Sequence, residues 1–236
     1  IFTTLIMSLG FHYYETTFQS LTLQYFKVEI SPWVFGKMRS FSAATSIAVG
    51  IFIFLVSYAL SFKMMFGLLG GLIVCIGLWG LLQKPSREDI VPQHKKMIFK
   101  KKYWLFYLLT FLSGGRRQIF VAFAVFLLVL EFEFSIQEIT FLFILNNIIS
   151  YFLAPLVGKA IIRFGERKLL SLEYFSLFFI FLAYAGVESK IIVALLYILD
   201  HIFFNFVIGI RTFFQKVAEP ADLAPSMAIG VTINHI

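Results

Sequence analysis

The sequence predicts an all-α integral membrane protein, a polytopic bundle of transmembrane helices, and three observations carry that prediction. Of its 236 residues, 60% are apolar or aromatic and only 14% are charged, against roughly 45–50% and about 25% in soluble domains, so the polar side chains are too few to cover a water-exposed globule. The apolar residues fall into seven runs with the start of an eighth, each of the seven about as long as the ~20 residues that cross a bilayer core. Lysine and arginine gather on alternate connections between those runs. The same composition excludes a disordered chain. A single cysteine, Cys75, supports no disulfide framework, and no metal site is expected. The net charge of +7 is informative through its placement, not as a nucleic-acid footprint.

In order, the runs cover residues 2–26, 40–60, 64–82, 103–130, 139–162, 169–186 and 191–214, with the eighth opening near Ser226. Each is about twice the length of a barrel strand and must satisfy its own backbone in lipid, which makes it a helix. Lys27, Lys37 and Arg39 follow the first run; Lys63 follows the second; Lys84, Arg87, Lys95, Lys96, Lys100, Lys101 and Lys102 follow the third. After the fourth come Glu131, Glu133 and Glu138 with no basic residue; after the fifth, Lys159, Arg163, Arg167 and Lys168; then Lys190 and, last, Lys216. Fifteen basic residues thus fall on one set of connections and two on the other. The positive-inside rule puts the basic set in the cytoplasm, with the chain entering from outside. Residues 83–102 (QKPSREDIVPQHKKMIFKKK) form a cytoplasmic linker between two helix groups. It reads either as an anchor that touches anionic lipid headgroups or as a regulatory docking segment. Opening at Ile1 in mid-run and closing at Ile236 inside another, the sequence reads as a fragment of a longer membrane protein.

Laying His12 on His201 superposes the first run on the seventh, the helix at Ser40 on the one near Ser226, Lys27 on Lys216 and Met38 on Met227. Between the fifth and sixth runs, the turn from Gly158 to Lys168 (GKAIIRFGERK) resembles the G-x-x-x-D-R-x-G-R-R/K signature of the major facilitator superfamily. Ile162 replaces the signature's Asp and Glu166 one of its basic residues. Independently of the family, Gly165 permits a tight reversal, Gly158 a close helix approach, and Arg163, Arg167 and Lys168 hold the turn at the cytoplasmic face. The resemblance implies a two-half, pseudo-symmetric architecture truncated at both ends. Residues 1–82 become the last three helices of the N-terminal half, 83–102 the central cytoplasmic linker, and 103–236 four helices and the start of a fifth in the C-terminal half. It further implies a secondary transporter that moves a small solute by alternating access, with Gly158, Arg163, Gly165, Arg167 and Lys168 at a gating turn. No covalent chemistry, cofactor or nucleic-acid partner is expected; a monomer among lipids in the bacterial inner membrane is. A membrane-embedded enzyme lacks a suitable acidic or histidine cluster at a membrane face, and the two-half symmetry argues against the membrane subunit of a multi-component permease.

Ionisable groups in hydrocarbon cost roughly 2.5–3.5 kcal/mol each, so those deep in a run should face a cavity or a partner. Arg116 and Arg117 fall near mid-bilayer after Gly114 and Gly115, about 100° apart around the helix. One is expected to bind an anionic group while the other pairs with an acid; two structural ion pairs are the alternative. His12, Glu15 and Gln19 form a polar stripe along the first run, and Asp200, His201 and Asn205, with Arg211 beyond, form its counterpart. Both stripes are expected to line one cavity, pairing Glu15 or Asp200 with Arg116 or Arg117 and leaving a carboxylate that can carry a proton. The alternative puts both acids at solvated outer ends. Asn146, beside Asn147, either binds substrate or joins helices, and Glu173 is expected to pair with the basic turn. Gly67, Gly70, Gly71, Gly77 and Gly80 read as close-packing positions.

Overall fold

A computed structural model describes residues 2–56, 59–83 and 90–235. Ile1, Ile236, residues 57–58 of the second run, and Lys84 and Arg87 of the linker lie outside them. Helix α1 spans Phe2–Tyr25, α2 Ser31–Val56, α3 Phe62–Leu81 and α4 Trp104–Gln118, which continues through a π-helical turn at Ile119–Ala124 into α5, Val125–Leu130. Then come α6 at Ile136–Phe164, α7 at Glu166–Gly186, α8 at Lys190–Phe203, a 3-10 turn at Phe204–Phe206, α9 at Val207–Val217 and α10 at Leu223–Asn234. No strand occurs among the described residues.

Six stretches are long and apolar enough to cross a membrane: Ser31–Val56, Lys63–Leu81, Lys101–Leu130, Ile136–Phe164, Glu166–Gly186 and Lys190–Val217. The chain is therefore an all-α integral membrane protein. Helix α1, expected as a span, has the length at 24 residues, but its threonines, Glu15 and Gln19 dilute its hydropathy and it is not among the six.

The second helix starts at Ser31, a full two turns before the expected Ser40, and this corrects the placement of Lys37 and Arg39: both lie inside α2. A hydropathy window is depressed by those two charges, whereas the local chemistry favours a helix start, because Pro32 needs no hydrogen-bond partner in a first turn. Val34, Phe35 and Gly36 are buried there.

Helices α2 and α6 pack antiparallel at very close range. A Cβ on Gly36 would stand 2.5 Å from Ala154 O and 2.8 Å from Pro155 Cα, and one on Gly158 would collide with Pro32 O. Gly158 thus admits α2 rather than the adjoining α7. Pro155, in the middle of α6, has no N–H to offer the carbonyl four residues earlier, that of Tyr151. Ser40 Oγ of α2 donates to that oxygen at 2.6 Å, so the neighbouring helix satisfies the group the proline frees.

The glycines of α3 correct another expectation. A Cβ on Gly67, Gly70, Gly71, Gly77 or Gly80 would meet no atom within 4 Å. Apart from Met65, the residues of α3 whose exposure is described are not buried, so its glycines pack against nothing among the described residues.

The connections sort onto two ends. At one end Gln215 Nε2 donates to Leu23 O and Phe26 O at 2.6 and 2.8 Å, Lys216 pairs with Glu166 at 2.7 Å, and Lys100 pairs with Glu219 at 2.7 Å. At the other, Lys190 pairs with Glu138 at 2.8 Å and reaches Glu133 O at 3.3 Å. A core of Phe35, Phe106, Ile161, Leu170, Phe214 and Met227 fills the basic end, and a second, of Phe120, Leu128, Leu142 and Tyr197, the acidic one. The polar site lies between these cores.

Candidate functional site

Arg116 comes at the end of α4, just before the π-helical turn, a local rewinding that re-aims side chains within an otherwise regular helix. It is buried, and its Nη1 donates to Glu173 Oε1 at 2.5 Å while Nε lies 3.9 Å from Asp200 Oδ1. Its guanidinium also lies 4.3 Å from the centre of the Phe204 ring. Arg116 is thus paired with Glu173, with Asp200 and an aromatic face close by. Glu173 meets this arginine and not the basic turn, a correction with a simple cause: Glu173 sits two turns into α7, inside the bundle, and the acid at the turn itself, Glu166, is taken by Lys216.

Arg117 points to a different network, as the 100° step requires. Its Nη2 donates to Asn234 O at 3.1 Å and meets His235 Nδ1 at 2.9 Å; His235 Nε2 lies 3.1 Å from Glu15 Oε2, and Gln19 Nε2 donates to Glu15 Oε1 at 3.0 Å. Because a guanidinium can only donate, Nδ1 accepts and Nε2 carries the proton given to Glu15. The first stripe therefore reaches Arg117 through a histidine rather than by direct ion pairing. Gly114 makes this possible, since a Cβ there would collide with the Asn234 backbone. His12 packs edge-on against His235, ring centres 4.3 Å apart. Ligand atoms of His12, Glu15 and His235 lie within 4.8 Å of one another. A cation there would compete with the hydrogen bonds described and face the Arg117 guanidinium across the imidazole, so the chemistry favours the proton over a metal.

The second stripe is divided by the 3-10 turn. Asp200 faces Arg116, and His201 packs beside the contacting rings of Phe120 and Phe204, its Nδ1 without a partner among the described residues. Asn205 is fully buried, its Nδ2 donating to Ile202 O at 3.0 Å and its Oδ1 accepting from Arg39 Nε at 2.6 Å. Asn146 is buried and neither polar atom of its side chain has a partner among the described residues. At the turn, Gly165 adopts φ +83°, open to glycine at little cost, and Arg163, Arg167 and Lys168 are exposed.

Two cavities meet in this region. One of about 960 Å³ runs between α1, α2 and α9, lined by Phe11, Tyr14, Phe18, Arg39, Ser42, Ser46 and Arg211 among others. The other, about 140 Å³, is lined by Arg39, Arg116, Arg117 and Arg211 with Glu15 and Glu173. Glu15, Arg39 and Arg211 border both. Sequence reasoning missed Arg39, whose signal was the Ser31-Pro32 helix start; it assigned Arg211 to the second stripe without a role. With four guanidiniums facing Glu15, Glu173 and, beside Arg116, Asp200, the centre carries an excess of positive charge.

No family model, curated protein or solved structure matches the chain.

Proposed function

We propose that the chain belongs to a secondary active transporter of the major facilitator type, acting in the bacterial inner membrane and moving a small organic anion by alternating access around the central cavity. The observation that carries this reading is the mid-span cavity in which guanidiniums outnumber carboxylates, an arrangement that lowers the cost of bringing an anion out of water and raises it for a cation. The close antiparallel contact of α2 with α6 fits two halves meeting across that cavity. The chain Gln19–Glu15–His235–Arg117 supplies a proton-carrying group beside the anion site, which suits proton coupling. The positive-inside rule puts the end that holds Lys100, Arg167 and Lys216 in the cytoplasm.

The test uses purified protein in proteoliposomes, recording lumenal pH while pools of organic anions, sugars and cationic drugs are offered. Anions are expected to move, with a pH change that Glu15→Gln abolishes and a rate that Arg117→Gln reduces. Movement confined to neutral or cationic compounds and untouched by either substitution would sink the anion assignment.

A further inference from the structure

Not all four arginines of the site are available to a ligand. Arg116 is occupied by Glu173 and Asp200, and Arg117 by Asn234 O and His235. Arg39 spends only its Nε, on Asn205, and its two Nη groups make no hydrogen bond among the described residues. Arg211 makes no hydrogen bond or ion pair among them; its guanidinium carbon lies 5.6 Å from the Phe35 ring, and Glu15 acts on it only through space. Both side chains border the large cavity and the small one.

We propose that Arg39 and Arg211 are the ligand-binding arginines of the site, and that they receive the carboxylate or phosphate head of a water-soluble amphiphilic anion whose apolar body lies along the aromatic wall of the large cavity. This rests on the transport reading above and names its substrate class. The head assignment follows from what is left without a bonded acid. Glu15, the nearby carboxylate, is already engaged by Gln19 and His235. Two guanidiniums in largely apolar spans are costly without an anion of their own, and their forked donors suit planar or tetrahedral oxyanions. Arg39 is also preorganised. Asn205, itself anchored to Ile202 O, holds its Nε and leaves the fork free. The body assignment follows from the wall: Phe11, Tyr14 and Phe18 recur on one face of α1 and line the same cavity as the two arginines. At about 960 Å³ the cavity is large enough for a drug-sized solute. Arg39 lies on α2 and Arg211 on α9, so one head group draws together helices that the two-half reading assigns to different halves.

The experiment measures equilibrium binding of tritiated 3-phenylpropionate to the purified protein in phosphatidylcholine nanodiscs, with its neutral amide and acetate as competitors. Saturable binding is expected, with amide and acetate each competing at least about tenfold more weakly. Arg211→Gln should weaken binding by about tenfold or more. Since that side chain makes no hydrogen bond or ion pair among the described residues, the melting temperature without ligand should not fall. Arg39→Lys, which keeps a charge but loses the fork, should lose a smaller part of the affinity. Binding that ignores both substitutions, or an amide that competes as well as the acid, overturns the proposal. So does loss of binding when phosphatidylglycerol is added to the nanodiscs, which would assign the site to a lipid headgroup. Uptake by the same variants separates the two readings: a neutral or cationic solute that moves regardless of both arginines removes this inference and leaves the transporter. Arginine-dependent binding with no solute movement keeps the site and removes transport.

Discussion

The clearest division of labour is between adjacent arginines. Arg116 and Arg117 stood out in the sequence because any charge deep in an apolar run is costly, yet which acids they meet depends on helix rotation and on the π-helical turn, neither of which leaves a compositional mark. In the structure Arg116 is paired with the buried Glu173, and that has a measurable consequence. Arg116→Gln strands Glu173, which is almost fully buried, without its guanidinium. Removing one partner of a buried pair costs about 3–5 kcal/mol, whereas neutralising both costs far less. Thermal unfolding in detergent should therefore show a large drop for Arg116→Gln and for Asp200→Asn a small one, its oxygen lying 3.9 Å away. The double change Arg116→Gln with Glu173→Gln should recover most of the loss; a double variant no more stable than Arg116→Gln alone would show that the pair is not what Arg116 stabilises.

At the scale of elements, the contact of α2 with α6 ties a proline, a serine and two glycines into one device. Ser40 satisfies the Tyr151 carbonyl that Pro155 leaves free. Ser40→Ala should cost about 1–3 kcal/mol, the penalty for a buried acceptor left unmade, but should cost clearly less in a Pro155→Ala background, where α6 supplies its own N–H. A serine effect independent of residue 155 would break that link. Glycine position decides the other comparison. Gly158→Ala drives a methyl into Pro32 O and should lower the melting temperature, while Gly70→Ala, with nothing within 4 Å, should raise or preserve it, by up to about 0.5–1 kcal/mol of helix propensity. Both glycines look alike in the sequence. Hydropathy alone gives the existence of a helix but not its neighbour, which is why α3's glycines read as packing positions and Arg39 as a loop residue.

For the whole molecule, apolar length and alternating charge were enough to foresee a helical membrane bundle, and the structure agrees with six stretches long and apolar enough to cross a membrane among the described residues. What they could not give is how the linker is fastened, since that depends on pairings between residues more than a hundred positions apart. Tyr103 OH donates to Asp222 Oδ2 at 2.7 Å, Lys100 reaches Asp222 at 2.6 Å and Glu219 at 2.7 Å, and Lys102 also pairs with Glu219. Gln93 Nε2 donates to Pro220 O at 2.8 Å, while Gln93 Oε1 accepts from Ala224 N at 2.9 Å. Burial pushes the Asp222 carboxyl up, but hydrogen bonds from Lys100 and Tyr103 outweigh it and hold it below its ordinary value; Lys100 and then Lys102 hold Glu219 down as well. The bonds to Asp222 and Glu219 raise Lys100 in turn. Lowered carboxylates contribute their stability above their unfolded values of about 3.9 and 4.3 and lose it as pH falls through the folded ones. A raised lysine contributes fully below about 10.4 and loses its part as pH rises through its folded value. The fastening should thus hold from about pH 5 to 10 and weaken on both sides. Amide hydrogen-exchange protection at His94, whose N–H donates to Ala221 O at 3.0 Å, is the readout. His94 Nε2 also lies 3.6 Å from Asp222 Oδ1, so the comparison is made at pH 8, where an ordinary histidine is uncharged. After correction for intrinsic rates, protection should be lower below pH 4 than at pH 8, and should fall at pH 8 in Asp222→Asn. Protection that survives pH 3 unchanged would mean that Gln93 and the backbone, not the charges, hold the linker in place.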